Sequence, residues 1–130
     1  MLPANEASSA RLLIVDDQRS NVRLLEHTLR RAGYAEVTAT MDPAEVAALH
    51  REHGYDLILL DLQMPHVDGF EVLGQLQKMK EAHPVAILVI SADSGQTEAA
   101  LEAGADSFLG KPFRLPDVLE RVQVMLKRAP

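Results

Sequence analysis

The chain has 130 residues, of which 47% are hydrophobic, with no cysteine and a formal net charge of −6. That suffices for one domain with a normally packed core, and it excludes disulfides, thiolate metal sites and thiol catalysis. The acidic balance argues against a nucleic-acid surface, which needs clustered Lys and Arg, and the longest apolar run, Val85 to Ile90, is far shorter than the roughly twenty residues that span a bilayer.

Residues 1–10, rich in Ala and Ser, read as a flexible lead-in, and residues 11–128 as one domain. The N-terminal segment lacks the apolar stretch of a signal peptide. With the absence of cysteine, this sets the expectation of a cytoplasmic protein. From Arg11 onward, short apolar runs alternate with helical periodicity. A strand over 11–15 precedes a helix from about Ser20 to Arg31, with Val22, Leu25, Leu29 and Ala32 at helical spacing and Gly33 as its C-cap. A short strand over 35–40 follows. Asp42-Pro43 then opens a second helix, with Asp at the N-cap and Pro at N1, and Gly54 ends it. The third strand covers 56–60, and a loop through Pro65 leads to a helix from about Gly69 to Lys80. The fourth strand covers 85–90, and Ser94 starts an Ala-rich helix that stops at Gly104. A fifth strand over 106–109 leads to Lys111-Pro112, and the last helix runs from about Leu115 to Arg128.

Five consecutive βα units imply a parallel sheet with right-handed crossovers and helices on both faces. The expected fold class is α/β, a flavodoxin-like (βα)5 three-layer sandwich whose five-stranded sheet follows, by analogy, the order 2-1-3-4-5. In that order the switch point lies between strands 1 and 3, and ligands bind at the carboxyl ends of the strands there.

The strand ends carry the chemistry. Leu12 to Val15 runs into Asp16-Asp17, Leu57 to Leu60 into Asp61, Val85 to Ile90 into Ser91, and the weaker run at Phe108-Leu109 is followed by Lys111. One sheet edge therefore collects three carboxylates, a hydroxyl and an ammonium. Two carboxylates about 4 Å apart repel by roughly 4 kcal/mol at an effective dielectric near 20. Either raised pKa values or a hard cation offsets this. Mg²⁺ takes one or two carboxylates, keeps waters and leaves room for phosphate oxygens, and no nearby His or Cys favours zinc. A carboxylate can also attack phosphorus to form an aspartyl phosphate. Asp61 is the best candidate nucleophile, because it stands alone at its strand end with the Asp16-Asp17 pair opposite. Lys111 would neutralise charge, and Ser91 would donate a hydrogen bond to a phosphoryl oxygen.

The ordered set Leu13-Ile14-Val15-Asp16-Asp17, Asp61 through Pro65 to Asp68-Gly69, Ser91-Ala92 and Lys111-Pro112-Phe113 resembles the receiver domain of two-component response regulators. The resemblance extends over residues 11–128. It implies phosphorylation of Asp61 by a sensor histidine kinase or a histidine phosphotransfer protein, with the domain catalysing its own phosphorylation and slow dephosphorylation. It implies Mg²⁺, or Mn²⁺ in its place, held by Asp17, Asp61 and the backbone carbonyl of Gln63, with Asp16 helping through water. It assigns Ser91 and Lys111 to the phosphoryl group, Ser91 and Phe108 to a conformational switch, and Gln63 and Asp93 to tuning of phosphate lifetime. The switch would reshape the surface formed by the fourth helix, fifth strand and fifth helix, which would also serve a homodimer or an appended output domain. Many relatives have Tyr at the Phe108 position, so a switch here would act by packing without a phenol. The resemblance suggests a cis Lys111-Pro112 bond, against the general preference of X-Pro bonds for trans.

Each residue also has a plainer reading. An Asp at a strand end can be a turn residue, Ser91 a cap, Lys111 a solvated loop lysine and Phe108 a core residue; it is the register of all of them that favours a site. Arg30-Arg31 and Lys127-Arg128 fall at predicted helix C-termini, where cations complement the dipole. His27, His50, His53, His66 and His83 show no ligand spacing and read as surface side chains. Leu24 and Val124 lie off the core stripes of their helices. Two other classes fit less well. A haloacid-dehalogenase-like phosphatase would place its nucleophile on the first strand with a second Asp two residues on, and a flavodoxin-type carrier would need a Ser/Thr-rich loop and ring-stacking aromatics.

Overall fold

A computed structural model describes residues 9–64 and 68–128. The chain alternates strands and helices in the expected order: β1 Arg11–Val15, α1 Arg19–Arg31, β2 Glu36–Thr40, α2 Val46–His53, β3 Leu57–Asp61, α3 Gly69–Lys78, β4 Ala86–Ser91, α4 Thr97–Glu102, β5 Ser107–Gly110 and α5 Leu115–Arg128. The sheet is parallel throughout, in the order β2-β1-β3-β4-β5.

Residue choice follows position in the sheet. In β3, Leu-Ile-Leu-Leu-Asp is buried at every residue, because helices cover both faces. The edge strand β2, Glu-Val-Thr-Ala-Thr, shows a mixed pattern with exposed Glu36 and Thr38. Successive residues of the central strands serve opposite faces. Leu12, Ile14, Leu57, Leu59 and Ile90 pack with Val22, Leu25 and Leu29 of α1 and Val118 and Val122 of α5. Leu13, Val15, Ile58, Leu60 and Val89 pack with Val46 of α2, Val72, Leu73 and Leu76 of α3 and Ala100 of α4. Each fully buried Leu contributes about 1.5–3 kcal/mol relative to exposure.

Helix ends fix the connections at both edges of the sheet. At the end of α1, the Tyr34 amide donates to the Leu29 carbonyl and the Gly33 amide to that of Arg30, with Gly33 at φ 111°. This is a Schellman closure, which needs a left-handed residue. Asp42 caps a short 3₁₀ turn, Pro43–Glu45, that leads into α2, as the Asp-Pro pair predicts. In the connection before α4, the cap is Asp93 rather than Ser94. The Asp93 carboxylate accepts from the Gly95 amide, a 3₁₀ turn covers Ser94–Gln96, and the α-helix itself has only 6 residues. Helix α3 ends at Lys78, two residues earlier than expected.

The lead-in expected over residues 1–10 lies outside the described residues except at its end, where Ala10 is buried in the core beneath α1. Among the described residues no helix is long and apolar enough to cross a membrane. Leu24 and Val124 are exposed, as their positions off the core stripes predict.

One expectation is overturned. His50 is not a surface side chain: it is 1% exposed. Its Nδ1 accepts from the Tyr55 amide at 3.0 Å, so its Nε2 carries the proton and donates to the His83 carbonyl at 2.9 Å. The ring fastens the end of α2 to the connection between α3 and β4. Burial lowers its pKa from the ordinary value.

Candidate functional site

The carboxyl ends of β1 and β3 lie side by side at the switch point of the sheet, Val15 pairing with Leu60. Asp16 continues the β1 ladder, its amide donating to the Thr40 carbonyl of β2 at 3.3 Å. Asp61 closes β3. Both are almost wholly buried, and Asp17 is half-buried beside them. Carboxylate oxygens of Asp16, Asp17 and Asp61 all lie within 4.8 Å of one another. The three strand-end carboxylates singled out in the sequence therefore converge.

Each buried carboxylate is held by amides of its own loop. Asp61 Oδ1 accepts from the Gln63 amide at 3.0 Å. Asp16 Oδ1 accepts from the Gln18 amide at 2.9 Å, and its Oδ2 accepts from the Asn21 side chain at 3.3 Å. Asn21 also donates to the Gln18 side-chain oxygen at 3.0 Å. Neither Gln18 nor Asn21 was singled out in the sequence. The signal available was a carboxamide within one helical turn of the acidic pair.

Lys111 reaches this cluster from β5. Its amide donates to the Ser91 carbonyl at 2.9 Å, extending the β4–β5 ladder by one rung, and the Lys111-Pro112 bond is cis. The ammonium lies 3.3 Å from Asp61 Oδ2 and 3.5 Å from Asp16 Oδ2. Burial raises the Asp61 pKa and the Asp16 charge adds to that, while the Gln63 amide and Lys111 act in the opposite direction.

Ser91 is fully buried at the end of β4, one residue beyond the rung that pairs Ile90 with Asp61. Its hydroxyl accepts from the Asp93 amide at 3.2 Å. Asp93 is therefore committed to the turn into α4 through both its amide and its carboxylate. Phe108 pairs with Val89 in register and is half-buried against the core beneath α2, α3 and α4. Its carbonyl accepts from Arg121 of α5 at 3.1 Å, and the same guanidinium also bonds the Ser107 hydroxyl. Gln63 is exposed and bridges to Asp68, whose carboxylate caps α3 by accepting from the Phe70 amide. Pro65, His66 and Val67 of the predicted motif lie outside the described residues. Gly69 is obligatory for the close approach of α3, since a Cβ there would lie 2.5 Å from the Leu62 Cα.

Two buried carboxylates and a half-buried third, facing a strand-end ammonium, suit a hard divalent cation and a phosphoryl group. Known proteins share this arrangement of chain. The family model for the response regulator receiver domain matches residues 12–123. The transcriptional regulatory protein PrrA of Mycobacterium leprae is 40% identical over 121 residues, 93% of this chain and 52% of that protein. The alkaline phosphatase synthesis transcriptional regulatory protein PhoP of Bacillus subtilis is 37% identical over 119 residues, 92% of this chain and 49% of that one. The chain thus spans about half the length of the curated relatives it matches. Among solved structures, the response regulator protein TrrA of Thermotoga maritima, in complex with Mg²⁺ and BeF, superposes with a TM-score of 0.79 at 30% identity, covering 89% of this chain and 98% of that one. A CheY-like receiver domain protein from Methanospirillum hungatei superposes with a TM-score of 0.82 at 27% identity, covering 91% of this chain and 94% of that one. Neither the phosphatase nor the flavodoxin alternative gains support from these likenesses. The chain belongs to the response regulator receiver domain family and is a signalling receiver domain of the two-component type.

Proposed function

We propose that Asp61 is the phosphoacceptor of this receiver domain and that it takes a phosphoryl group from the phosphohistidine of a sensor histidine kinase or histidine phosphotransfer protein. The observation that carries this reading is the convergence on Asp61: two further carboxylates lie within 4.8 Å and the Lys111 ammonium within 3.3 Å. A carboxylate oxygen of Asp61 attacks phosphorus, the phosphorus–nitrogen bond of the donor breaks, and the leaving imidazole keeps the electron pair and is protonated. Hydrolysis of the acyl phosphate later restores the carboxylate, with the domain catalysing both steps.

The residues fit a hard cation. Asp17, Asp61 and the Gln63 carbonyl would hold Mg²⁺, or Mn²⁺, with Asp16 acting through water. Bound there, the ion supplies neutralisation of the charge that gathers on phosphoryl oxygens. Lys111 moves its charge-assisted hydrogen bond from Asp61 to a phosphoryl oxygen, and the Ser91 hydroxyl donates to another. Ser91 then leaves its bond with the Asp93 amide, and Phe108 repacks against the space beside it. This couples the site to the surface of α4, β5 and α5, where a homodimer or an output domain would read it. Gln63 and Asp93 flank the phosphoryl position and set the lifetime of the adduct. The receiver unit is residues 11–128, acting in the cytoplasm.

Beryllofluoride with Mg²⁺ tests the reading without a kinase. The expected result is one tightly bound fluoride complex by fluorine NMR, with amide shifts centred on residues 61, 91 and 108–111 and none in Asp61→Asn. Equal binding by Asp61→Asn would remove Asp61 from the role.

A further inference from the structure

Asp16 is almost wholly buried, and several donors converge on its carboxylate. The Gln18 amide reaches Oδ1 at 2.9 Å, while the Asn21 side chain at 3.3 Å and the Lys111 ammonium at 3.5 Å share Oδ2. A carboxylate offers about four lone-pair sites, divided between its oxygens. The site left open therefore lies on Oδ1. Asn21 is the donor of this set that the helix does not need. It stands half-buried in the first turn of α1, at the third helical position. A capping box would there turn a side-chain oxygen back to the Gln18 amide, but Asp16 already takes that amide. Asn21 works in reverse: its nitrogen donates to Asp16 and, at 3.0 Å, to the Gln18 side-chain oxygen. Two acceptors facing one carboxamide fix which end is nitrogen. Leu is the better helix former, so the helix itself does not call for Asn.

The two donors on Oδ2 differ in permanence. Lys111 is shared with Asp61 and, on the proposed function, leaves for a phosphoryl oxygen. Asn21 is carried by α1 and stays. It keeps Oδ2 occupied throughout, so Asp16 cannot turn both oxygens to one cation. That decides which cation fits. Mg²⁺ demands a small octahedral shell and keeps several of its waters, whereas Ca²⁺ takes about six to eight oxygens and accepts two from one carboxylate.

We propose that Asn21 is a positioning residue that sets the cation preference of the site: by leaving Asp16 one free oxygen, it favours Mg²⁺ and disfavours Ca²⁺. It acts through Asp16 and touches neither the cation nor the phosphoryl group. This rests on the reading that Asp17, Asp61 and the Gln63 carbonyl hold the metal.

The probes are the bare cations. Separate titrations of isotopically labelled protein with magnesium chloride and calcium chloride, followed at the amides of residues 16–18 and 61–63, give the ratio of the Ca²⁺ to the Mg²⁺ dissociation constant. Asn21→Leu frees Oδ2 once Lys111 moves. Its Mg²⁺ affinity falls about tenfold, the usual scale for losing a residue that orients a neighbour of the metal. Its Ca²⁺ affinity falls less, because Asp16 can now chelate. Asn21→Asp removes the donor at constant size, adds a negative charge and guards against misfolding of the first variant. Both cations bind it more tightly, and Ca²⁺ gains more. The ratio therefore falls at least about threefold in both variants. A smaller fall in either one overturns the proposal, and so does an equal loss for the two cations, which marks a pocket that is merely disturbed. A wild type whose amides respond to neither cation would instead remove the metal reading.

Discussion

The Lys111 ammonium lies 3.3 Å from Asp61 and 3.5 Å from Asp16, so one cation from the last strand offsets two buried carboxylates from the first and third. The pair is poised to exchange. On the proposed function, Mg²⁺ would take the carboxylates from the lysine, and an arriving phosphoryl group would then take the lysine itself.

Removing that cation should separate its two effects. Lys111→Ala leaves the three carboxylates without their ammonium, so Mg²⁺ binding tightens. A charge-assisted bond of about 1.5 kcal/mol corresponds to about a tenfold change in affinity. Labelling of Asp61 by acetyl phosphate slows by about tenfold or more, because no ammonium meets the phosphoryl oxygens. Calorimetric titration with Mg²⁺ and a labelling time course check the two halves independently.

Asp61 itself carries a pH signature. A carboxyl whose pKa is raised on folding binds its proton more tightly in the folded state. Its contribution to stability is therefore full below the unfolded value of 3.8 and is lost as pH rises through the folded value. Without Mg²⁺, Asp61→Asn is expected to be more stable than wild type to urea at neutral pH, with the gap closing in acid. Lys111 keeps Asp16 as a partner in the variant. Adding Mg²⁺ at about a hundred times its dissociation constant stabilises the wild type by about 2.7 kcal/mol, and Asp61→Asn by much less.

His50 predicts the opposite slope. Its pKa is lowered by burial, partly offset by its bond to the His83 carbonyl; the His83 ring lowers it further, and Asp56 raises it. A base depressed on folding contributes stability that is full above the unfolded value of 6.5 and is lost as pH falls through the folded value. The geometry gives the cause: a proton on Nδ1 would face the Tyr55 N–H that it now accepts. His50→Leu removes this pH dependence and leaves the buried Tyr55 amide unpaired, costing roughly 1–3 kcal/mol at neutral pH. Urea unfolding of both proteins between pH 7 and about 5 checks the slope, since 6.5 falls within that range.

These contrasts show what local sequence carries. The central strands were legible because burial on both faces demands an unbroken apolar run, as in Leu57–Leu60, and their ends were legible because a polar residue must follow where the helices stop covering them. The convergence of Asp16, Asp17, Asp61 and Lys111 followed once the strand order was supplied by analogy. His50 was not legible, because its burial depends on a carbonyl 33 residues away. Nor was the choice between Asp93 and Ser94 as the cap, since both are good N-caps and only the backbone turn decides. Gln18 and Asn21 act on Asp16 through a first helical turn that begins at Arg19, one residue earlier than periodicity alone suggests.

Phosphorylation of one named side chain is the central claim, and intact-mass analysis after treatment with acetyl phosphate and Mg²⁺ tests it most directly. The expected result is a single phosphoryl adduct on the wild-type chain, mapped to Asp61, lost in Asp61→Asn and strongly reduced when Mg²⁺ is chelated. An adduct that persists in Asp61→Asn, or that forms equally well without the metal, would contradict it.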